Sequence, residues 1–223
     1  MRKKLKRFRA NADLDILLEA GKPAYEQLPG NWNRRVFPRD QPLVVELGCG
    51  SGEFATTLAE LSPDRNVVGI DRRGARMWVG GSDASDRGLT NVAFLRADVA
   101  ELARFFAPGE IDQLWITFPD PQPKTRQVKH RLTSPVFLDV YRRLLRPDGW
   151  VRFKTDDAGL FEYTLKVLEG RRDARHLAHT GDLHGSSLHI GHAALRTRYE
   201  KRFLGQGLPI RYLEFQFGGR PGL

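Results

Sequence analysis

The chain is poor in sulfur, with one cysteine and two methionines, and it has no long apolar run. A lone Cys49 excludes any internal disulfide, so the fold is held without covalent staples and suits a reducing compartment. No stretch approaches the roughly 20 apolar residues that span a bilayer. The basic start MRKKLKRFR is not expected to be a signal peptide, because Asn11, Asp13 and Asp15 stand where its apolar core would belong. A cytoplasmic location is the expectation. Acid is also scarce, at 27 residues against 36 lysines and arginines, a formal charge of +9. The excess cations fall in clusters, which points to a polyanionic partner. His176, His179, His184, His189 and His192 invite a metal reading, but none is paired with cysteine or set in an HExxH frame, so no metal is assigned.

What is present is enough for one sizeable core in 223 residues. The expected division is a basic arm with a short helix and loop over residues 1–42, then one domain over 43–223. Arg2, Lys3, Lys4, Lys6, Arg7 and Arg9 crowd the first nine positions, either as a solvated tail or as an arm on phosphates. Leu14, Leu17 and Leu18 predict a short amphipathic helix ended by Gly21 and Pro23, and residues 23–42 read as a loop carrying Trp32 and Phe37.

From Leu43 onward apolar runs alternate with segments of helical length. Strands are expected over 43–47, 66–70, 92–95, 111–118 and 150–153, with helices over 53–61, 74–86, 99–106, 135–145 and 158–168. Such alternation predicts an α/β fold, a doubly wound and mostly parallel sheet with helices on both faces. The stretch IRYLEFQF, residues 210–217, alternates with period two and predicts a closing antiparallel strand.

The first strand runs straight into a glycine-rich turn, LVVELGCGSGEF. Gly48, Gly50 and Gly52 let the backbone turn sharply and approach a ligand ahead of a helix. Their every-other spacing departs from the dinucleotide fingerprint, which argues against NAD. Glu46, an acid inside the strand, ill suits a pyrophosphate but suits the cationic end of S-adenosylmethionine.

Carboxylates recur where the strands end: Glu46, Asp71, Asp98, Asp120 and Asp156. In an open parallel sheet the ligand crevice lies beyond those ends. Asp71 is placed to accept ribose hydroxyls, Asp98 to meet an adenine amino group, and Glu46 to face the methionine portion or its waters. Taken singly each is also an ordinary loop acid or cap, and Asp98 before VAEL is an acceptable helix N-cap. After the fourth strand comes FPDPQPKTRQVKHRL, in which Pro119, Pro121 and Pro123 hold Asp120 in a stiff segment. Lys124, Arg126, Lys129, His130 and Arg131 then form a cationic border suited to phosphates. In TRYEKRF, Glu200 follows Thr197 by three, which fits a capping box; the same residues also suit hydrogen bonding to a base edge.

ELGCGSGEF, GIDRR, FPDPQPKTRQVKHRL, FKTD and TRYEKRF, in this order, resemble the bacterial tRNA (guanine-N7-)-methyltransferases, over residues 43–217. The first motif marks only the wider S-adenosylmethionine-dependent class, whereas the PDP loop and the TxYE element are more specific. The resemblance implies a Rossmann-like methyltransferase domain over 43–223. It implies methylation of N7 of a guanosine in the tRNA variable loop, nucleotide 46, with S-adenosyl-L-methionine as donor. Residues matching Glu46, Asp71, Asp98 and Asp120 then bind the donor along with the glycine turn, and Asp120 is catalytic. Lys124, Asp156, Thr197, Arg198, Tyr199 and Glu200 bind tRNA. Two positions depart from the pattern: the family usually has tryptophan where this chain has Gln122, and often glutamate at Asp71. Either a monomer or a homodimer is compatible with these features.

Overall fold

The structure, a computed structural model, describes residues 10–218. The basic arm expected at residues 1–9 lies outside the described residues. Two compact units are present, Met1–Ile111 and Asp112–Leu223.

In the first unit β1 (Leu17–Leu18), β2 (Leu43–Leu47), β3 (Asn66–Asp71) and β4 (Val92–Arg96) lie in the order β1-β4-β3-β2, all in parallel. Every residue of β2 is buried, Glu46 included, the reason its apolar residues run together rather than alternate with polar ones. Helix α1 (Glu53–Leu61) links β2 to β3, and α2 (Gly74–Asp86) links β3 to β4. α1 turns Phe54, Ala55, Leu58 and Ala59 inward, a spacing of one apolar stripe.

Three expectations change here. Leu14, Leu17 and Leu18 do not make a helix: Leu17 and Leu18 pair with Phe94 and Leu95 as β1. Both leucines are buried, and consecutive burial is what a strand closing the edge of β4 requires. The 23–42 segment is more than loop, since Trp32 opens a single helical turn, Trp32–Arg35. Its indole is fully buried, donates to the Phe105 carbonyl at 2.8 Å and stacks on Phe106 with centroids 5.1 Å apart. Burial of such a ring stabilises by about 2–3 kcal/mol. The helix expected over 99–106 is a 3-10 segment, Val99–Arg104, stopped where Phe105 and Phe106 turn into the core.

The second unit holds β5 (Ile111–Thr117), α3 (Pro135–Leu144), β6 (Leu145–Thr155), α4 (Ala158–Glu169), β7 (Ala174–Thr180), α5 (Arg198–Gly205) and β8 (Arg211–Phe217). Its strands run in the order β5-β6-β8-β7. β8 is antiparallel to β6, with Phe153 opposite Leu213, as the period-two pattern predicts. The strand β7 is an addition. ARHLAHT holds no buried residue, so it has no buried face to betray it; pairing with β8 recruits it, across a register shift between Arg175 and Ala178. The α/β architecture, parallel with an antiparallel end, is therefore present. No helix among the described residues is long and apolar enough to cross a membrane.

Candidate functional site

The parallel register of β2, β3 and β4 sets the first-unit acids on one edge, each anchored by backbone donors. Glu46 is 2% exposed and accepts the Ala55 N–H at 3.1 Å, one of the donors that the first turn of α1 cannot satisfy internally. Asp71 takes the Gly50 N–H on one oxygen at 3.0 Å and the Arg73 N–H on the other at 2.8 Å. Asp98 caps the 3-10 segment through the Ala100 N–H at 3.0 Å, while its second oxygen lies 4.0 Å from the Arg72 guanidinium. These donors offset the repulsion that clustered carboxylates otherwise suffer.

Gly48, Gly50 and Gly52 all have positive φ. At Gly50 a Cβ would meet nothing nearer than 4.0 Å, so the space above it is open. At Gly52 a Cβ would lie 2.4 Å from Cε1 of Phe94, so this glycine serves close packing against β4. Cys49, between Gly48 and Gly50, is buried, and burial with Glu46 and Asp71 nearby pushes its thiol well above the ordinary value. Such a thiol is unreactive and structural.

In the second unit Asp120 is exposed, three residues beyond β5. Phe118 and Gln122 on either side of it have φ of 47° and 48°. For non-glycine residues this conformation costs about 1–3 kcal/mol and persists only where neighbours impose it. The Gln122 N–H donates to Asp120 Oδ1 at 3.1 Å, and the Phe118 N–H donates to the Lys154 carbonyl at 2.9 Å. Lys124, Arg126, Lys129 and His130 are exposed around the 3-10 segment Thr125–His130. Arg131 is not part of that surface. It is half-buried, donates to the carbonyls of Pro121 and Gln122 at 3.0 and 3.3 Å, and lies 4.4 Å over the Tyr163 ring. Asp156 is half-buried directly after β6, and its carbonyl accepts Arg211 at 2.8 Å.

TRYEKRF does start a helix, with Thr197 as N-cap accepting the Glu200 N–H at 3.1 Å. Arg198 and Tyr199 face outward, Tyr199 being 52% exposed. Thr197 and Glu200 are buried. The Glu200 carboxylate does not return to the Thr197 backbone as a full capping box would have it. It lies with Lys154, both side chains 0% exposed and 3.1 Å apart, and with His184 Nε2 at 3.0 Å. Arg196 approaches His184 Nδ1 at 3.3 Å; since arginine can only donate, His184 carries its proton on Nε2 and donates it to Glu200. Burial pushes Lys154 below its ordinary value despite the opposing pull of Glu200. Lys154 also donates to the Leu195 carbonyl at 2.8 Å, which ties the segment before α5 to β6. In the sequence Lys154 stands out only as part of FKTD and His184 only among the histidines weighed for a metal, and nothing there pairs either with Glu200.

A family model described as "Putative methyltransferase" matches residues 40–213. The fold is shared with the 16S rRNA methyltransferase KamB, at a TM-score of 0.61 and 16% identity over 91% of this chain and 96% of that one. An rRNA methylase from Streptococcus thermophilus is similar at 0.54 and 15%, over 91% and 100% of the two chains. Fold and glycine turn together define a Rossmann-like methyltransferase. Among its relatives, a tRNA (guanine-N(7)-)-methyltransferase of Cytophaga hutchinsonii is 43% identical over 97% of this chain and 98% of its own. Those of Porphyromonas gingivalis and Halalkalibacterium halodurans are 43% and 40% identical, over 86% and 84% of this chain and 78% and 83% of theirs. The chain belongs to the tRNA (guanine-N(7)-)-methyltransferase family.

Proposed function

We propose that this chain transfers the methyl group of S-adenosyl-L-methionine to N7 of a guanosine in the tRNA variable loop, nucleotide 46, giving 7-methylguanosine. The observation that carries this reading is the near-full-length likeness to tRNA (guanine-N(7)-)-methyltransferases. The glycine turn fits the donor, because the space above Gly50 is open and Asp71 stands at the end of the adjacent strand. Glu46, Gly48, Gly50, Gly52, Asp71 and Asp98 hold it, with Asp120 at the reacting end. When bound, the donor supplies an electrophilic methyl on a sulfonium.

Guanine N7 carries a lone pair and no proton, so it forms the new N–CH3 bond as the S–CH3 bond breaks and the electron pair stays on sulfur. No general base is required. The work of the protein is to align N7 with the methyl and to face the base, which becomes cationic, with negative charge. Asp120 does this either by accepting from the guanine N1 and N2 donors or by its charge. Lys124 and Arg126 hold phosphates, Asp156 fixes the base region, and Arg198 and Tyr199 offer a cation and a stacking ring to RNA. Thr197 and Glu200 contribute from beneath by holding that surface in place.

The test is to incubate the purified protein with labelled S-adenosylmethionine and unmodified tRNA, digest to nucleosides and identify the product by mass. The expected outcome is 7-methylguanosine that maps to the variable loop. A different methylated nucleoside would keep the methyltransferase class and overturn the substrate assignment.

A further inference from the structure

The cationic border after Asp120 contains one residue whose geometry sets it apart from the others. Lys124, Arg126, Lys129 and His130 are exposed, as phosphate contacts must be. Arg131 instead turns its guanidinium back on the loop that carries Asp120.

A single peptide plane connects the two. The bond between Pro121 and Gln122 is trans, so its C=O and N–H point in opposite directions. Its C=O accepts from Arg131 Nε at 3.0 Å, and its N–H donates to Asp120 Oδ1 at 3.1 Å. Rotation of this plane would therefore break the arginine hydrogen bond and move the carboxylate together. The Gln122 carbonyl accepts from Nη2 at 3.3 Å, which fixes the next peptide as well. These bonds impose the positive φ at Gln122, a conformation that its side chain does not favour.

Arg131 is itself held in place. Its guanidinium lies over Tyr163 of α4, and two residues further on Thr133 shares a buried hydrogen bond of 2.8 Å with Thr164 of the same helix. That helix starts beside Asp156 and is capped by Asp157 through the Leu160 N–H at 2.6 Å. A planar fork with two parallel donors and a stacking face is what this position uses, and lysine has neither.

We propose that Arg131, backed by Tyr163, is a positioning residue for Asp120, acting through the Pro121–Gln122 peptide rather than through RNA phosphate. This rests on the reading of Asp120 as the group that faces the reacting base. The decisive variant is Arg131→Lys, which keeps the charge and loses the fork, measured for kcat, KM for tRNA, donor affinity and salt dependence.

The expected result is a kcat lower by about 10- to 100-fold, with KM for tRNA and donor affinity within about twofold of the parent. Tyr163→Phe, which keeps the stacking face, retains the parent kcat, and Tyr163→Leu falls part of the way. A raised KM with kcat intact, and a log–log salt slope reduced by roughly one, would instead make Arg131 a phosphate contact and overturn the proposal. So would an unchanged kcat in Arg131→Lys. Asp120→Asn separates the two layers. If it is inactive while Arg131→Lys is fully active, only the positioning role fails; if Asp120→Asn keeps full single-turnover activity, the reading of Asp120 itself fails.

Discussion

At the scale of single residues, Gly50 and Gly52, two of the three glycines of the turn, do different work despite the same sign of φ. Gly50 has room for a side chain on the face where a donor would lie, so Gly50→Ala introduces backbone strain of about 1–2 kcal/mol and fills that space. Gly52 has both strain and a collision with Phe94, for which about 3 kcal/mol is a reasonable total. In thermal melts Gly52→Ala is expected to lose roughly 6–12 °C. Gly50→Ala is expected to lose less in the melt and more in donor affinity, measured by titration with S-adenosylmethionine. Equal losses on both axes would remove the distinction between packing and ligand approach. The glycine spacing is legible in the sequence because positive φ is a local demand. Which glycine abuts Phe94 is not, because that depends on how β4 lies beside the turn.

At the scale of elements, the outer strand β7 is held at its start by Asp173. Its carboxylate lies 2.8 Å from Arg171 and 3.3 Å from Arg142, and its carbonyl accepts the Gly218 N–H at 2.7 Å. Burial raises the affinity of this group for a proton, but hydrogen bonds and charge from Arg171, with Arg142 beyond, outweigh it and hold the group below its ordinary 3.8. A carboxylate depressed in the folded state contributes stability that is complete above its unfolded value. That contribution is lost as pH falls through the folded value. Asp173→Asn should therefore be less stable than the parent at neutral pH, and its unfolding free energy should depend less on pH below about 4, measured by urea titration. Parallel pH curves would exclude Asp173 as a source of acid sensitivity. The strands that carry apolar runs, β2 to β5, lie within a residue of their expected bounds at each end. Three leucines predict a helix where β1 lies, and ARHLAHT gives no strand signal at β7, because pairing partners rather than their own side chains make these two segments extended.

At the scale of the whole molecule, a charge of +9 is arranged for association with a polyanion. Much of the excess lies in the first nine residues and in the segment after Asp120. If the arm touches RNA, deletion of residues 1–9 lowers the slope of log affinity against log salt by about 0.7–0.9 for each phosphate that the arm neutralises. A reduction of at least that size is expected, with kcat at saturating tRNA unchanged. An unchanged slope in filter binding or fluorescence titration over a range of salt would make the arm a tail with no part in recognition.

The sequence by itself determined the fold class, the glycine turn, the acids at successive strand ends and the stiff loop around Asp120. These follow from neighbours in the chain: buried runs, turn residues, caps and prolines. Tertiary structure alone decided that Arg131 turns back on the loop, that Glu200 is buried against Lys154, and that His184 completes that pair. Lys154 and Glu200 are 46 positions apart, and nothing local in either stretch distinguishes a charge that meets solvent from one that meets its opposite inside. Burial of an ionised group is permitted only by its partner, and the partner is chosen by the packing of the chain.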